Sequence, residues 1–195
     1  MRDPVGNRIR SNEDLKGEEA TWSGSPSDDE GSLSMLDSEL KINRFLMEYV
    51  RKLVADVPDE RMAEQPLAGV NHPAWILGHL AWSTDRARSL LGLEPECPAE
   101  WTTMFGFGSK PSPSRGEYPS RDELLRAVER GFERLRDQAA SATPEQLGRP
   151  SANPRTKDLL PTVKDGLAFL LTGHLGVHVG QFSTWRRMIG LPPLF

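Results

Sequence analysis

Four stretches of the chain carry apolar residues at every third or fourth position, and this periodicity restricts the fold more than any other feature. Such spacing is typical of amphipathic helices that bury one face. The predicted helices span residues 34–57, 73–92, 120–141 and 162–190. No stretch alternates apolar and polar residues as a half-buried strand does. The sequence therefore predicts an all-α fold, a four-helix bundle with antiparallel packing.

Capping residues mark the ends of these predicted helices. Pro73 suits the first turn of the second helix, which Asn71 or His72 can cap. Ser120 followed by Glu123 forms a capping box ahead of the third helix. The other end signals are Pro58 after the first helix, Gly92 after the second, and Thr162 with Asp165 before the fourth. The local signals thus agree with the apolar periodicity.

The N-terminal segment differs in composition from the rest of the chain. Residues 1–32 are polar, charged and rich in Gly, Ser and Pro, which predicts disorder because ordering them would bury little apolar surface. Residues 1–40 contain four Lys and Arg against ten Asp and Glu, a net charge of about −6, whereas the whole chain carries −4. We therefore expect a disordered acidic tail at 1–32 and a helical-bundle domain at 33–195.

Charge and hydropathy exclude several classes of function. Beyond the tail the chain is nearly neutral and has no Lys/Arg cluster, so no nucleic-acid partner is expected. No apolar run is long enough to span a membrane, and the N-terminus lacks the apolar segment of a signal peptide. The single Cys97 cannot form an internal disulfide, and nothing near it marks a reactive thiol. We expect a cytoplasmic protein with small-molecule partners, either alone or as a homodimer.

Two histidines near the C-terminus, His174 and His178 in the stretch GHLGVHVGQ, stand four residues apart. On a helix this separation places the imidazoles about 40° apart around the axis and about 6 Å along it, so both can reach one metal ion. The spacing alone is a weak signal, because such pairs also occur as ordinary core residues. His79 strengthens it, since it lies on the inward stripe of the second helix with Ile76 and Ser83. Three imidazoles from two helices can therefore meet in one bundle.

Together, the stretches NHPAWILGHLAW and GHLGVHVGQ resemble the DinB/YfiT-like superfamily of metalloenzymes, four-helix bundles with one His on the second helix and an H-x-x-x-H-x-G-Q pattern on the last. The resemblance covers roughly residues 36–192, including the loop FGFGSKPSPSRGEYPS between the motifs. It implies that His79, His174 and His178 are metal ligands. It also implies a metal-dependent enzyme, because members of known activity are often transferases that use low-molecular-weight thiols.

Three imidazole ligands leave coordination positions open, as catalytic zinc sites do. Zinc is the favoured divalent metal, with nickel, iron and manganese as alternatives. A metal in an open site lowers the pKa of a thiol or water enough to generate a nucleophile near neutral pH, so a thiol S-transferase or a hydrolase is expected. Two alternatives stay open. One is a non-catalytic metal-binding or stress-associated bundle, and the other is a metal-free binding module, which is disfavoured because burying three imidazoles without a cation is costly.

Three further polar residues receive predicted roles, and no catalytic side chain is identified beyond the metal ligands. Gln181 follows His178 by three residues on the same face and is predicted to orient a ligand or to bond a backbone carbonyl. Arg86, two turns after His79, is the candidate anchor for an anionic substrate or cofactor, with a surface position as the alternative. His72 is too far from His79 along the helix to share a metal and is expected to cap.

The long segment at residues 102–120 is rich in Gly, Pro and Ser. Loops of this length in compact domains are usually either functional or disordered. Its residues Phe105 and Phe107 are expected to pack near the mouth of the bundle. Trp75, Trp82 and Trp185, at helical spacing, are expected in the core.

Overall fold

The computed structural model describes residues 34–194, and this range is helical without a β-strand. Its α-helices are α1 Asp37–Ala55, α2 Pro73–Ala87, α3 Glu100–Phe105, α4 Arg121–Ser141, α5 Pro144–Gly148, α6 Val163–Phe169 and α7 Leu175–Met188. Short 3₁₀ turns form at Asp59–Arg61, Arg88–Leu91 and Arg115–Glu117, and a π turn at Leu170–His174 joins α6 to α7. The acidic segment at residues 1–32 lies outside the described range, so its predicted disorder stays a prediction.

Helices α1, α2, α4 and the continuous run from α6 to α7 form the bundle. Each of α1 and α2 packs against both α4 and α7. The predicted all-α four-helix bundle is therefore confirmed. Ser120 and Thr162 cap their helices in capping boxes with Glu123 and Asp165, and Gly92 ends the second helical segment with a left-handed φ of 79°.

Helix α2 is buried on nearly all sides, and every residue in it except Arg86 is buried. Helix α4 approaches it closely because Gly131 faces Thr84, where an added Cβ would lie 2.2 Å from the Thr84 Oγ1 atom. The predicted core positions Trp75 and Trp82 lie on α2 and are each 7% exposed. Any polar side chain in the middle of α2 therefore enters the core.

The fourth predicted helix is continuous, but it is not α-helical throughout. Its middle is the π turn, in which the Leu171 carbonyl accepts a hydrogen bond of 2.7 Å from Asn43 of α1. Asn43 is fully buried, and its own Oδ1 accepts from Arg136 of α4 at 2.8 Å. Single π turns inside α-helices are frequent at functional sites. This one ends at His174, so it helps to set the direction from which that side chain enters the bundle.

A buried arginine joins the ends of α1 and α7. Arg186 is 1% exposed. Its guanidinium donates to the Leu53 carbonyl at 2.8 Å and to both carboxylate oxygens of Asp56. The hydrogen bonds from Arg186 hold the pKa of Asp56 below its ordinary value. The Asp56 carboxylate thus satisfies a charge that would otherwise be buried with one carbonyl partner.

We predict that Asp56→Ala lowers the free energy of unfolding by about 1.5–3 kcal/mol, the usual contribution of hydrogen bonds to a charged group. The loss arises because Arg186 stays buried without its carboxylate. Lys41→Ala removes the exposed ion pair with Asp37 and should cost less than about 1 kcal/mol. Urea unfolding followed by circular dichroism measures both variants. Equally small losses would show that the buried pair contributes little.

Candidate metal centre

Three histidines from two helical segments converge in the core. His79 lies in the middle of α2, His174 ends the π turn, and His178 follows in the first turn of α7. One ring nitrogen from each histidine lies within 4.8 Å of the corresponding nitrogens of the other two. The ring centroids are 4.7 to 5.2 Å apart in pairs. The structure thus brings together the three side chains that the sequence singled out.

The orientation of His79 is fixed by the backbone at the end of α3. Its Nδ1 lies 2.6 Å from the Phe105 carbonyl oxygen. Because a carbonyl only accepts, Nδ1 must donate and therefore carries the ring proton. In the neutral ring Nε2 then has a free lone pair, and it lies 3.2 Å from Nε2 of His174 and 3.4 Å from the Ser83 hydroxyl.

Phe105 can approach α2 this closely because Gly78 has no side chain. A Cβ on Gly78 would lie 2.1 Å from the Phe105 ring, far inside van der Waals contact. The ring itself is fully buried. Gly78 therefore allows α3 to pack against α2 beside His79, with the Phe105 carbonyl in reach of the imidazole.

The orientation of His178 is fixed by a side-chain amide. Its Nδ1 lies 3.0 Å from Oε1 of Gln181, and the same oxygen accepts a hydrogen bond of 3.2 Å from Nδ2 of Asn71. In this arrangement Nδ1 of His178 is the donor, so Nε2 of the neutral ring keeps its lone pair. Gln181 therefore contacts the candidate metal ligand His178 directly, and through Asn71 it connects α7 to the start of α2.

Aromatic rings surround His79. Trp75 stacks on it with a centroid distance of 4.7 Å and an interplanar angle of 9°, and Trp82 and Phe107 contact it at 5.9 Å. The Phe107 residue is 56% exposed, and the Arg155 guanidinium lies over its ring, 4.5 Å from the centroid. His79 thus contacts three aromatic rings, one of which also contacts a cation.

Burial keeps the histidines neutral. It is the main cause that lowers the pKa of His174 to about 3 and that of His178 to about 4, and the neighbouring imidazoles lower both further. Burial also lowers the pKa of His79, against a smaller opposing effect of its hydrogen bond to Phe105. Near neutral pH all three rings are therefore uncharged, which is the form that binds a metal ion.

A family model described as the DinB superfamily matches residues 44–182, a range that contains all three histidines. The match spans more than half of the chain. The chain belongs to the DinB superfamily. No curated protein matches it. The superfamily is one of helical bundles, in agreement with the observed fold.

The other predicted site residues of this DinB-superfamily chain lie in different surroundings. Arg86 is the exposed residue of α2, two turns beyond His79, and its proposed role as an anion anchor stays a prediction. His72 caps α2 as predicted, because its Nδ1 accepts from the Trp75 N–H. Cys97 is not part of the cluster, and burial together with Asp85 raises its thiol pKa to about 12, which fits an unreactive thiol.

Two contributors to the site carried no signal in the sequence. One is the main-chain carbonyl of Phe105, since every residue has such a carbonyl. Its contact with His79 depends only on where α3 packs. The other is Arg155, which comes from a connection between α5 and α6 that has no apolar periodicity. Asn71, considered only as a cap, instead bonds to Gln181.

Within residues 34–194 no helix is both long and apolar enough to cross a membrane. This finding agrees with the hydropathy of the described sequence. It leaves the predicted cytoplasmic location as an expectation.

We predict opposite effects for two glycine-to-alanine substitutions in this superfamily member. Gly78→Ala should lower the free energy of unfolding by about 1–3 kcal/mol, because the new methyl group overlaps the buried Phe105 ring. Gly180→Ala is the matched control, since an added Cβ there meets nothing within 4 Å. It should raise stability by up to about 1 kcal/mol through helix propensity. Denaturant unfolding measures both, and a stabilising Gly78→Ala would refute the close packing of α3 on α2.

Proposed function

We propose that this DinB-superfamily protein binds one divalent metal ion through His79, His174 and His178 and catalyses a metal-dependent reaction of a small molecule. The observation that carries the proposal is the convergence of three imidazole nitrogens within 4.8 Å. Membership of the superfamily supports it, since its members often bind metal. The reaction we infer is transfer of a low-molecular-weight thiol to an electrophile. Hydrolysis is the alternative, in which water replaces the thiol as the nucleophile.

The donor set fits a borderline metal. Neutral imidazoles suit zinc best among the common cellular cations, and they also suit nickel and iron, with manganese less favoured. A bound divalent metal ion with an open coordination position would lower the pKa of a thiol or of water there. Zinc is therefore the first candidate.

Two hydrogen bonds prepare the imidazoles for this role. The Phe105 carbonyl holds the Nδ1 proton of His79, and Gln181 holds that of His178. Both contacts leave Nε2 as the free nitrogen, so neither ring has to change its tautomer when metal binds. We assign Gln181 the role of orienting His178, as a positioning residue rather than a catalytic one.

A groove of about 500 Å³ lies beside Gln181, the residue that orients His178, and is also lined by Asn71 and Trp185. None of the three histidines lines this groove, so its link to the cluster runs through Gln181. This volume lies within the usual range for small-ligand sites. The cations Arg155, over Phe107, and Arg86, on α2, are the candidate anchors for an anionic substrate. Neither arginine lines the groove, so we infer only that the thiol or its acceptor occupies the groove beside Gln181.

We predict that the protein purified without chelator contains one divalent metal ion per chain and that His174→Ala and His178→Ala each lose it. Both variants should keep their helical content, because the apolar core is unchanged. His72→Asn is the matched control, since it alters a buried histidine outside the cluster and replaces it with another good N-cap residue. Elemental analysis and circular dichroism measure these outcomes. Full metal retention in both alanine variants would refute the proposed ligands.

We predict that the cobalt-substituted protein develops a near-ultraviolet charge-transfer band when 2-mercaptoethanol is added and that protons are released. The reason is that a thiolate is a far better metal ligand than a thiol. Ethylene glycol, which has the same skeleton without sulfur, is the control and should give no such band. His79→Ala should abolish the response.

The same experiment separates an enzyme from a passive metal carrier. A catalytic site should also accelerate the reaction of a thiol with an electrophile in the metal-bound protein relative to the metal-free one. A stoichiometric metal with no spectral response to any thiol and equal rates in both forms would refute thiol transfer. The remaining interpretation would then be a non-catalytic metal-binding or stress-associated bundle.

A further inference from the structure

A second groove, of about 450 Å³, lies between α2, α4 and the segment that connects α2 to α3. None of the three histidines lines it. Its lining includes Asp85, Arg88, Glu96, Trp101, Arg126 and Arg130. The groove is thus separate from the candidate metal centre and is unusually rich in charged side chains.

Helix α4 contributes a row of arginines to this groove. Arg126, Arg130 and Arg134 follow one another at four-residue intervals and all line it. Residues at this spacing are neighbours on one face of a helix, and like charges there repel each other. Asp122, Glu129 and Glu133 stand three or four residues from Arg126 or Arg130 on the same helix and offset part of this repulsion.

Two of the carboxylates in the groove are engaged elsewhere. Asp85 is 8% exposed and accepts hydrogen bonds from the backbone N–H groups of Glu96 and Cys97 at 2.8 to 3.1 Å. Glu123 closes the capping box of α4 and accepts from the Ser120 N–H at 2.9 Å. Asp85 therefore organises the connecting segment, and Glu123 organises the start of the helix.

The third carboxylate, Glu96, is shared by two arginines. Its oxygens pair with Arg88 at 2.7 Å and with Arg134. Within the part of the chain that the structure describes, no hydrogen bond or ion pair reaches the guanidinium groups of Arg126 and Arg130. Two exposed cations one helical turn apart thus line the groove without a direct ion pair, although Arg126 is close enough to Glu123 to help lower the pKa of that carboxyl, after the hydrogen bonds from Ser120.

We propose that this groove binds a small molecule through a phosphoryl group held between Arg126 and Arg130. Guanidinium groups match phosphate oxygens in a bidentate geometry, and two of them about 6 Å apart along a helix can hold one phosphoryl group from both sides. The half-buried Trp101 supplies an apolar wall for the rest of the ligand. The volume of the groove suits a molecule of that size.

Pyrophosphate tests the proposal on the full-length protein after removal of metal by a chelator. Isothermal titration at constant ionic strength should show binding to the wild type, and Arg126→Gln/Arg130→Gln should weaken it by about tenfold or more, because two charge-assisted contacts are lost. Arg44→Gln removes an exposed arginine of α1 outside the groove and should bind like the wild type. Should the double variant not fold, Arg126→Gln alone is expected to show a weaker form of the same loss.

Three results would overturn the proposal. One is a wild type that binds pyrophosphate no better than chloride, and another is an equal loss of affinity in Arg44→Gln, which would indicate diffuse surface charge. The third is binding that persists in the arginine double variant but disappears in His174→Ala, which would place the anion at the histidine cluster. Pyrophosphate binding that is retained in His174→Ala supports a site in the arginine groove, independent of the histidine cluster and of its metal content.

Discussion

Helix α2 must be covered on every side, and much of the molecule is arranged to do this. Only Arg86 in α2 is exposed, and α4, α7 and α3 pack around the other faces. The requirement is hydrophobic in origin, because Trp75, Ile76 and Leu77 project about 100° apart around the helix axis and each is buried away from water. His79 lies in the middle of this helix and is buried because the apolar residues around it are buried. A polar ring placed there needs partners, and the partners come from α3 and α7.

Burial gives the three imidazoles their shared properties. Each is kept neutral by the loss of solvation, so each presents a lone pair rather than a charge. The Phe105 carbonyl and the Gln181 amide then select the tautomers of His79 and His178. These rings need little rearrangement to bind a cation. This preorganisation is the physical reason to propose a metal centre rather than a set of core histidines.

Helix α3 lies between the two candidate binding regions. Trp101 at its start lines the arginine groove, and Phe105 at its end holds His79. The two rings contact each other edge to face at 5.1 Å. Between them, Thr102 accepts a hydrogen bond from the Trp82 indole, whose ring also contacts His79. A six-residue helix thus has contacts with both regions, and the absence of a side chain at Gly78 permits its close approach to α2.

The sequence by itself determined the four long helices, most of their caps and the three histidines, because periodicity, capping and an i, i+4 spacing are local properties. The short helices α3 and α5 were missed, and the predicted loop at residues 102–120 begins inside α3, because five or six residues are too few to show an apolar period. His72 could be assigned to a cap rather than to the metal by counting residues along one helix. Tertiary structure alone decided the rest. The π turn before His174 is held by Asn43 from another helix. The partner of His79 is a backbone carbonyl, which no residue type encodes, and Arg155 reaches the Phe107 ring from a loop. These contacts join residues distant in the chain, and their energies depend on how the helices pack, which no local pattern specifies.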